Sequence, residues 1–306
     1  MPELNLNGKR ISVDDSTAQK ITNLTKEDQI VEVLKKFWTA EKLGKHTDLW
    51  EDHKEILKDT LIVDPEEFYE DLEKCKLNPG NMSSKLVSLI DGTSINGDLK
   101  KEYITRALAV TTTEPEIGKG EFLFASIFKN IGFAQNAGDL VDLNSGKKIE
   151  VKGIGAKLGN GKNNAFKPMS KGLMLQICKV CGIDDMTRWQ LDEDNAMKIK
   201  HAIGLNEKLA MKVFTFLQNR QAENEGVSRT AVNLYFEKKQ LIRTVAAMHL
   251  YCYMKMEQDA YLLLVNDEKF SMFKAPDDLA EAYSIIEKMS VKGWREGDYG
   301  IKITLR

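Results

Sequence analysis

The sequence predicts an α+β protein in which helices outnumber strands and the strands form one mixed sheet. Residues 26–110 and 171–258 space their apolar side chains three and four positions apart, which is typical of helices. Two other regions, 139–152 and 260–305, contain the apolar runs and turn residues that indicate strands. Because helices separate the two strand regions, we expect residues 171–258 to be a helical insertion in the sheet domain.

The N-terminal region, residues 1–112, is predicted to be mainly helical. It opens with a short hairpin over residues 5–13, where an Asn-Gly dipeptide suits a tight turn because both residues tolerate positive φ. Pro65 lies where a helix is expected to begin, and proline is favoured in the first helical turn. We expect this region to precede a second domain at residues 113–306.

A helix and a hairpin are predicted at the start of the second domain. Glu121, Phe124 and Phe128 fall on one face of this helix, because residues three, four and seven apart stack on a helix. A carboxylate is therefore expected on the packing face. Near the C-terminus, strands are predicted in AYLLLVN, KFSMF and GIKITLR, with the helix PDDLAEAYSIIEKM between the last two.

Composition restricts the classes of function. Of the 306 residues, 42% are hydrophobic and 29% are charged, as in ordinary folded domains, and the formal net charge is −2. This charge excludes a globally basic nucleic-acid-binding protein, so DNA contact would require a local patch. No apolar run approaches the ~20 residues of a membrane helix, and four cysteines are too few for a disulfide scaffold. We expect a cytoplasmic protein without a membrane partner.

The stretch GDLVDLNSGKKIEVKG is predicted to be a β-hairpin. If Leu143 pairs with Lys148 across a four-residue turn, Asp139 lies opposite Lys152. Side chains alternate between faces along a strand, so Asp139, Glu150 and Lys152 are expected on one face. Directly opposed Cβ atoms lie ~4.5–5.5 Å apart, which is close enough for two carboxylates to share a divalent cation.

These residue types suit metal-assisted hydrolysis of a phosphodiester. Two carboxylates supply hard oxygen ligands for Mg²⁺ or Mn²⁺, and the remaining positions accept water and phosphate oxygens. The metal makes water nucleophilic near neutral pH and stabilises the developing charge. A lysine beside it can position or deprotonate that water, particularly if a nearby cation lowers the lysine pKa.

The chain carries, in order, a glutamate on a helix, an aspartate entering a strand and the triplet EVK on the next strand. This order, Glu121, then Asp139, then Glu150 to Lys152, resembles that of the PD-(D/E)xK nuclease superfamily. The resemblance covers about residues 113–153, and the later strands and helix match in type and order. It implies a restriction-endonuclease-like αβββαβ core with a mixed sheet.

The resemblance also implies a Mg²⁺-dependent deoxyribonuclease, with an endonuclease favoured over an exonuclease. Asp139 and Glu150 would bind the metal, Glu121 would be an auxiliary ligand or orient water, and Lys152 would assist the attacking water. It suggests a phage or bacterial origin, with a virion location if the protein is phage-encoded. A homodimer or a larger phage or bacterial assembly stays open. The chain departs from the family pattern at Gly138, where a proline is expected.

Two alternatives to an active site stay open. Glu150 and Lys152 can be ordinary polar residues of a half-exposed strand. The protein can also be a non-catalytic DNA-binding protein or a phage virion component that retains a nuclease-like fold. The triplet alone is weak evidence, because an acid two residues before a lysine also occurs, in helical or turn contexts, at Asp52, Asp98, Glu237 and Asp267.

A lysine-rich segment follows the predicted hairpin. Residues 147–171 contain seven lysines and one acid, and this local charge would attract a phosphate backbone. Its glycines would allow close approach of the substrate. The alternative is a solvated flexible loop. The lysines predicted to contact DNA are Lys157, Lys162, Lys167 and Lys171.

Three cysteines and a histidine have the residue types of a zinc site. Cys178 and Cys181 have zinc-ligand spacing, and His249 and Cys252 would complete a Cys₃His set. Both pairs lie in apolar helical segments, and free cysteine is among the most buried residue types. Core packing is therefore favoured over a structural zinc ion.

Overall fold

The computed structural model describes residues 3–6, 9–12, 14–60, 65–75, 77, 84–93, 97–113, 115–135, 138–153, 155–159, 165–186, 188–220 and 225–306. The protein is an α+β fold with a mixed sheet, as predicted. It divides into two compact units. The first unit comprises Met1–Leu77 and Val87–Gln135, and the second comprises Asn78–Leu86 and Asn136–Arg306.

The main division therefore follows residue 135, whereas the predicted boundary lay between residues 112 and 113. The helix that carries Glu121 packs against the helix before it, so it belongs to the first unit. Local periodicity alone does not reveal which neighbouring helices pack together.

The first 135 residues are mostly helical. Strands β1 (Glu3–Leu6) and β2 (Lys9–Ser12) form the predicted hairpin, whose Asn-Gly turn lies outside the described residues. The helix at Pro65 begins as predicted. The helices are α1 (Asp15–Phe37), α2 (Ala40–Leu43), α3 (Leu49–Asp59), α4 (Pro65–Leu72), α5 (Gly97–Ala109) and α6 (Glu121–Ile127), with a 3₁₀ helix at Leu86–Ile90. The other strands are β3 (Ser84–Lys85), β4 (Thr112–Thr113), β5 (Glu116–Ile117) and β6 (Ile131–Phe133).

The remaining chain contains the predicted helical insertion between strands. Its strands are β7 (Leu140–Asp142), β8 (Lys147–Lys152), β9 (Ala156–Lys157), β10 (Tyr261–Val265), β11 (Lys269–Lys274), β12 (Met289–Val291) and β13 (Lys302–Leu305). Its helices are α7 (Lys171–Cys181), α8 (Glu193–Ile203), α9 (Glu207–Leu217), α10 (Glu225–Lys238), α11 (Leu241–Glu257) and α12 (Leu279–Glu287). Helices α7 to α11 all lie between β9 and β10.

The main sheet makes β8 an interior strand. Within the second unit its strand order is β3-β11-β10-β8-β7. Strands β8 and β10 are parallel, with Glu150 beside Leu262, whereas β7 pairs with β8 and β11 pairs with β10 in the antiparallel sense. A smaller sheet has the order β12-β13-β9. An interior strand can present a side chain to a buried surface, and Glu150 lies on this strand.

Helix α11 is the central helix of the second unit. Twelve of its residues are buried, and it packs against α10 and α12. It ends at Glu257, and the capping residue Gln258, with φ of 58°, redirects the chain toward β10. The long apolar segment that predicted this helix is therefore a core element.

None of the helices in the described part of the chain is long and apolar enough to cross a membrane.

Each unit contains a buried histidine with a lowered pKa. In the first unit, His53 Nδ1 accepts a hydrogen bond from Trp38 Nε1 at 2.8 Å. In the second unit, His249 Nδ1 accepts from the backbone N–H of Ile301 at 3.1 Å, and its Nε2–H donates to the Leu217 carbonyl at 2.8 Å. Burial lowers the pKa of His53 to about 3 and that of His249 to about 4.

Mild acid should destabilise the protein through these histidines. Both stay neutral when folded, whereas an unfolded histidine binds a proton below about pH 6.5. The unfolded state therefore binds more protons, and the free energy of unfolding falls as pH decreases below about 6.5. Each histidine contributes a loss of about 1–2 kcal/mol by about pH 5.

The variant His53→Gln isolates the contribution of His53 to this pH dependence. We expect the decrease in unfolding free energy between about pH 7 and about pH 5, measured by urea denaturation, to be smaller in this variant by about 1–2 kcal/mol. The same decrease in both proteins would show that His53 titrates alike in the folded and unfolded states.

Candidate active site

Strands β7 and β8 form the predicted hairpin, but the predicted register was wrong by two residues. Asp142 pairs with Lys147, whereas the predicted pair was Leu143 with Lys148. The Asp142 carboxylate explains the difference, because it accepts a hydrogen bond from the backbone N–H of Asn144 at 3.1 Å. This local Asp-based turn starts the loop one residue earlier than the glycine position alone suggested.

The shifted register changes the partner of Asp139. Continuing the β7–β8 pairing by one residue places Asp139 opposite Glu150, whereas the predicted partner was Lys152. Asp139 donates its backbone N–H to the Ile149 carbonyl at 3.3 Å, and its Oδ2 accepts from the Val151 N–H at 2.8 Å. A shift of two residues preserves the alternation of faces, so the expected common face of the two acids and the lysine is retained.

Glu150 is a buried acid with two polar partners. It is 4% exposed, and its Oε1 accepts a hydrogen bond from the Tyr253 hydroxyl and pairs with Lys152 Nζ. The Lys152 ammonium also lies 5.4 Å from the centroid of the Tyr253 ring. Through Tyr253, helix α11 therefore reaches the face of β8 that carries both predicted residues. Tyr253 was not predicted from the sequence.

The surroundings keep Lys152 positively charged. Burial alone would lower its pKa, but the negative charges of Glu150 and Asp139 outweigh burial and raise it. Burial, followed by the Glu150 charge, also raises the pKa of Tyr253. The expected lowering of the lysine pKa depended on a bound cation. With carboxylates as neighbours, Lys152 is an ammonium donor and not a base.

Asp259 is a buried acid that was not predicted from the sequence. It lies between α11 and β10 and is 4% exposed. Neither carboxyl oxygen accepts a hydrogen bond from a donor within the described ranges. The group within hydrogen-bonding reach is another acid, Glu150, and burial followed by this negative charge raises the pKa of Asp259. Two buried carboxyl groups therefore meet, and their contact favours a proton on Asp259, whose O–H then donates to Glu150.

The packing of Asp259 explains the glycine that precedes Asp139. Gly138 has φ of 82°, and a Cβ atom there would lie 2.8 Å from Asp259 Oδ1 and 3.2 Å from Lys148 Cβ. The proline of the family pattern would fit neither this φ nor this space. The glycine at position 138 is thus a local consequence of Asp259, the acid between α11 and β10.

Parallel pairing of β8 with β10 brings Asp259 to the hairpin. The backbone N–H of Ala260 donates to the Lys148 carbonyl at 3.0 Å, next to the strand pairing itself. The available sequence signal was an acid between the long apolar helix and the strand AYLLLVN. That signal gives no register between strands so far apart in the chain, so Asp259 could not be assigned to Glu150.

Glu121 lies in the first unit, whereas Asp139, Glu150 and Lys152 lie in the second. It is 8% exposed at the start of α6, and its Oε1 accepts a hydrogen bond from the Gly118 N–H at 2.8 Å. This burial agrees with its expected position on the packing face. Its assignment as an auxiliary metal ligand stays a sequence-based prediction.

Burial distinguishes the EVK triplet from the other acid-x-lysine triplets. Glu150 is buried on an interior strand. The acids of the other triplets are all exposed, on or beside helices or in the loop before β11, namely Asp52, Asp98, Glu237 and Asp267. Glu150 is therefore not an ordinary polar residue of a half-exposed strand.

The lysines predicted to contact DNA have different surroundings. Lys157 Nζ forms an ion pair with Asp298 at 2.8 Å. Lys171 Nζ lies 5.1 Å from the centroid of the Trp189 ring. The backbone N–H of Lys167 bonds to the Asn219 carbonyl. Lys162 lies outside the described residues.

The candidate zinc ligands are involved in core packing. Both ring nitrogens of His249 bond to backbone groups, so neither is available to a metal. Cys178 and Cys252 are buried free thiols, and Cys181 is half-buried. The Cys178 thiol donates to Met186 Sδ at 3.5 Å.

As its side chains stand, the described part of the chain has no group of three or more His, Cys, Asp or Glu arranged to hold a metal ion. The Lys152 ammonium occupies Glu150 Oε1, so a cation there requires this ammonium to move. The unpartnered buried oxygens of Asp259 and the oxygen-only donor set nevertheless suit a hard divalent cation.

A cleft of about 420 Å³ adjoins Asp259. Asp259 and Tyr261 line it, together with the lysines Lys147, Lys255 and Lys274. Lys147 Nζ lies 5.6 Å from the centroid of the Tyr261 ring, and Lys274 Nζ pairs with Asp277 at 2.6 Å. The cleft therefore joins a buried acid to a rim that can attract anions.

Comparison of the chain with protein-family models, curated proteins and solved structures finds no match.

Loss of the Tyr253 hydroxyl should destabilise the second unit. We expect Tyr253→Phe to lower the free energy of unfolding by about 1–3 kcal/mol, because Glu150 loses a hydrogen bond while its charge stays buried. Urea denaturation measures the change. The control is Tyr251→Phe, two residues away on α11 and half-buried. Equal losses in the two variants would contradict a specific bond to Glu150.

Proposed function

We propose that the chain is a Mg²⁺-dependent endonuclease that hydrolyses DNA phosphodiester bonds. The observation that carries this proposal is Glu150, a buried acid on an interior strand with Lys152 as its ion-pair partner and Asp139 on the other strand of the hairpin. Burying charged groups is energetically unfavourable, and such groups concentrate at functional sites.

Asp139 and Glu150 would bind the metal ion through carboxylate oxygens. Bound Mg²⁺ would supply an electrophile for the phosphate and an activated water molecule. Lys152, whose positive charge the neighbouring acids favour, would neutralise negative charge that develops on the phosphate. Helix α11 would exclude water from this face of β8 and orient Glu150 through Tyr253.

The order of elements supports a restriction-endonuclease-like core. Elements α6, β6, β7, β8, α11 and β10 follow one another in the αβββαβ order of the family, with β9 and α7 to α10 as additions. The antiparallel pairing of β7 with β8 and the parallel pairing of β8 with β10 give the mixed sheet that this core requires.

A polyanionic substrate is supported by the distribution of lysines. Residues 147–171 carry seven lysines and one acid in a chain of net charge −2. Lys147 of this segment lines the cleft beside Asp259 together with two further lysines, Lys255 and Lys274. Such patches provide salt-dependent attraction to a phosphate backbone.

A non-catalytic DNA-binding protein, or a phage virion component with a nuclease-like fold, is the second candidate. The observation that favours it is the ion pair of Lys152 with Glu150. In this pair a lysine of the same strand occupies the carboxylate oxygen that a metal ion would need. The residues that the structure describes also lack a ready three-ligand metal group.

Cleavage assays decide between the two candidates. Purified protein is incubated with supercoiled, linear and single-stranded DNA in Mg²⁺ or EDTA. We expect Mg²⁺-dependent cleavage that includes supercoiled circles, and a fall of at least about a hundredfold in Asp139→Asn and in Lys152→Met. Matched controls come from the triplet at the start of β11, whose Asp267 is exposed and whose Lys269 is half-buried. Asp267→Asn and Lys269→Met should cleave like the original chain.

Cleavage that survives both Asp139→Asn and Lys152→Met would remove the assigned site. DNA binding without cleavage, both in Mg²⁺ and in EDTA, would favour the second candidate. Cleavage of linear DNA with circular DNA left intact would replace the endonuclease with an exonuclease.

A further inference from the structure

The groups around Asp259 do not explain why its carboxyl group is buried. Asp259 is 4% exposed, and both of its carboxyl oxygens lack a hydrogen-bond donor among the described residues. Buried carboxylates are ordinarily paired or hydrogen-bonded, since an unpaired buried charge is strongly unfavourable. The group that Asp259 approaches is the acid Glu150. If Asp259 is ionised, none of the described residues compensates its charge through a hydrogen bond.

Nearby acids make the ionisation of Asp259 still more unfavourable. Burial, followed by the negative charges of Glu150, Asp139 and Glu257, raises the pKa of Asp259. Lys152 pairs with Glu150, and none of the lysines that line the neighbouring cleft donates a hydrogen bond to a carboxyl oxygen of Asp259. With every acid ionised, the cluster would carry more negative than positive charge in a mostly buried position, so it requires a bound proton or a bound cation.

The backbone holds Asp259 in this position. The Ala260 N–H donates to the Lys148 carbonyl, and the left-handed Gln258 fixes the end of α11 on the other side. Gly138 leaves the space that Asp259 Oδ1 occupies. A rigid backbone on both sides keeps the carboxyl group beside the hairpin, as a metal ligand requires.

We infer that Asp259 is a third carboxylate ligand that binds one divalent cation together with Asp139 and Glu150. The inference rests on the proposed function, because it places the same metal ion at the same acids. A hard oxygen-ligand site of this kind suits Mg²⁺, Mn²⁺ or Ca²⁺. Binding would separate Lys152 from Glu150 and free its ammonium for the substrate phosphate.

Direct measurement of Mn²⁺ binding tests the role of Asp259 without reference to cleavage. The electron paramagnetic resonance signal of free Mn²⁺ is followed as protein is added, and thermal unfolding is recorded with and without Mn²⁺. We expect Asp259→Asn to weaken Mn²⁺ binding by about tenfold or more and to abolish the rise in Tm that Mn²⁺ produces.

Without metal, Asp259→Asn should unfold at the same or a higher temperature than the original chain, because an acid–acid contact is removed. This result establishes that the variant is folded. Asp139→Asn is the reference for a lost ligand, and the exposed Asp267→Asn should bind Mn²⁺ like the original chain.

The outcomes separate the inference from the proposed function. Unchanged Mn²⁺ affinity in Asp259→Asn overturns the inference even if the protein cleaves DNA, and leaves Asp259 as a protonated partner of Glu150. Mn²⁺ binding that depends on Asp259, in a protein that cleaves no DNA, supports the inference and overturns the nuclease. Failure of the original chain to bind Mn²⁺ at millimolar concentration overturns the cation site itself.

Discussion

The charge of Glu150 inside the sheet is the constraint on which the second unit depends. An isolated carboxylate on an interior strand would be unfavourable by several kcal/mol, so it requires partners that fold with it. Lys152 supplies opposite charge from the same strand, and Tyr253 supplies a hydroxyl from α11. Strand pairing and helix packing are thereby coupled, because the partners of this carboxylate come from both a strand and a helix.

This coupling gives the helical insertion a direct part in the site. Residues 171–258 interrupt the sheet between β9 and β10, and such an insertion is easily taken for an accessory domain. Its last helix, α11, instead reaches β8 through Tyr253 and delivers Asp259 to the start of β10. The buried apolar residues of α11 anchor this arrangement in the core of the second unit.

Local sequence patterns predicted the helices and strands, whereas contacts between distant segments determined which side chains surround Glu150. Periodicity identified the hairpin, the inserted helices and the common face of Glu150 and Lys152, because these depend on residues close together in the chain. The register differed because the Asp142 carboxylate closes the turn, a side-chain interaction that outweighed glycine placement. Asp259 and Tyr253 were missed because the parallel pairing of β8 with β10 and the packing of α11 join distant segments.

The central claim is that the acids beside Lys152 form a site for one divalent cation. Crystals grown with Mn²⁺, with data collected near the manganese absorption edge, test it most directly. The account predicts one anomalous difference peak within coordination distance of Asp139, Glu150 and Asp259, with the Lys152 ammonium moved away from Glu150. No peak at these acids, with the Lys152–Glu150 ion pair intact, would contradict it.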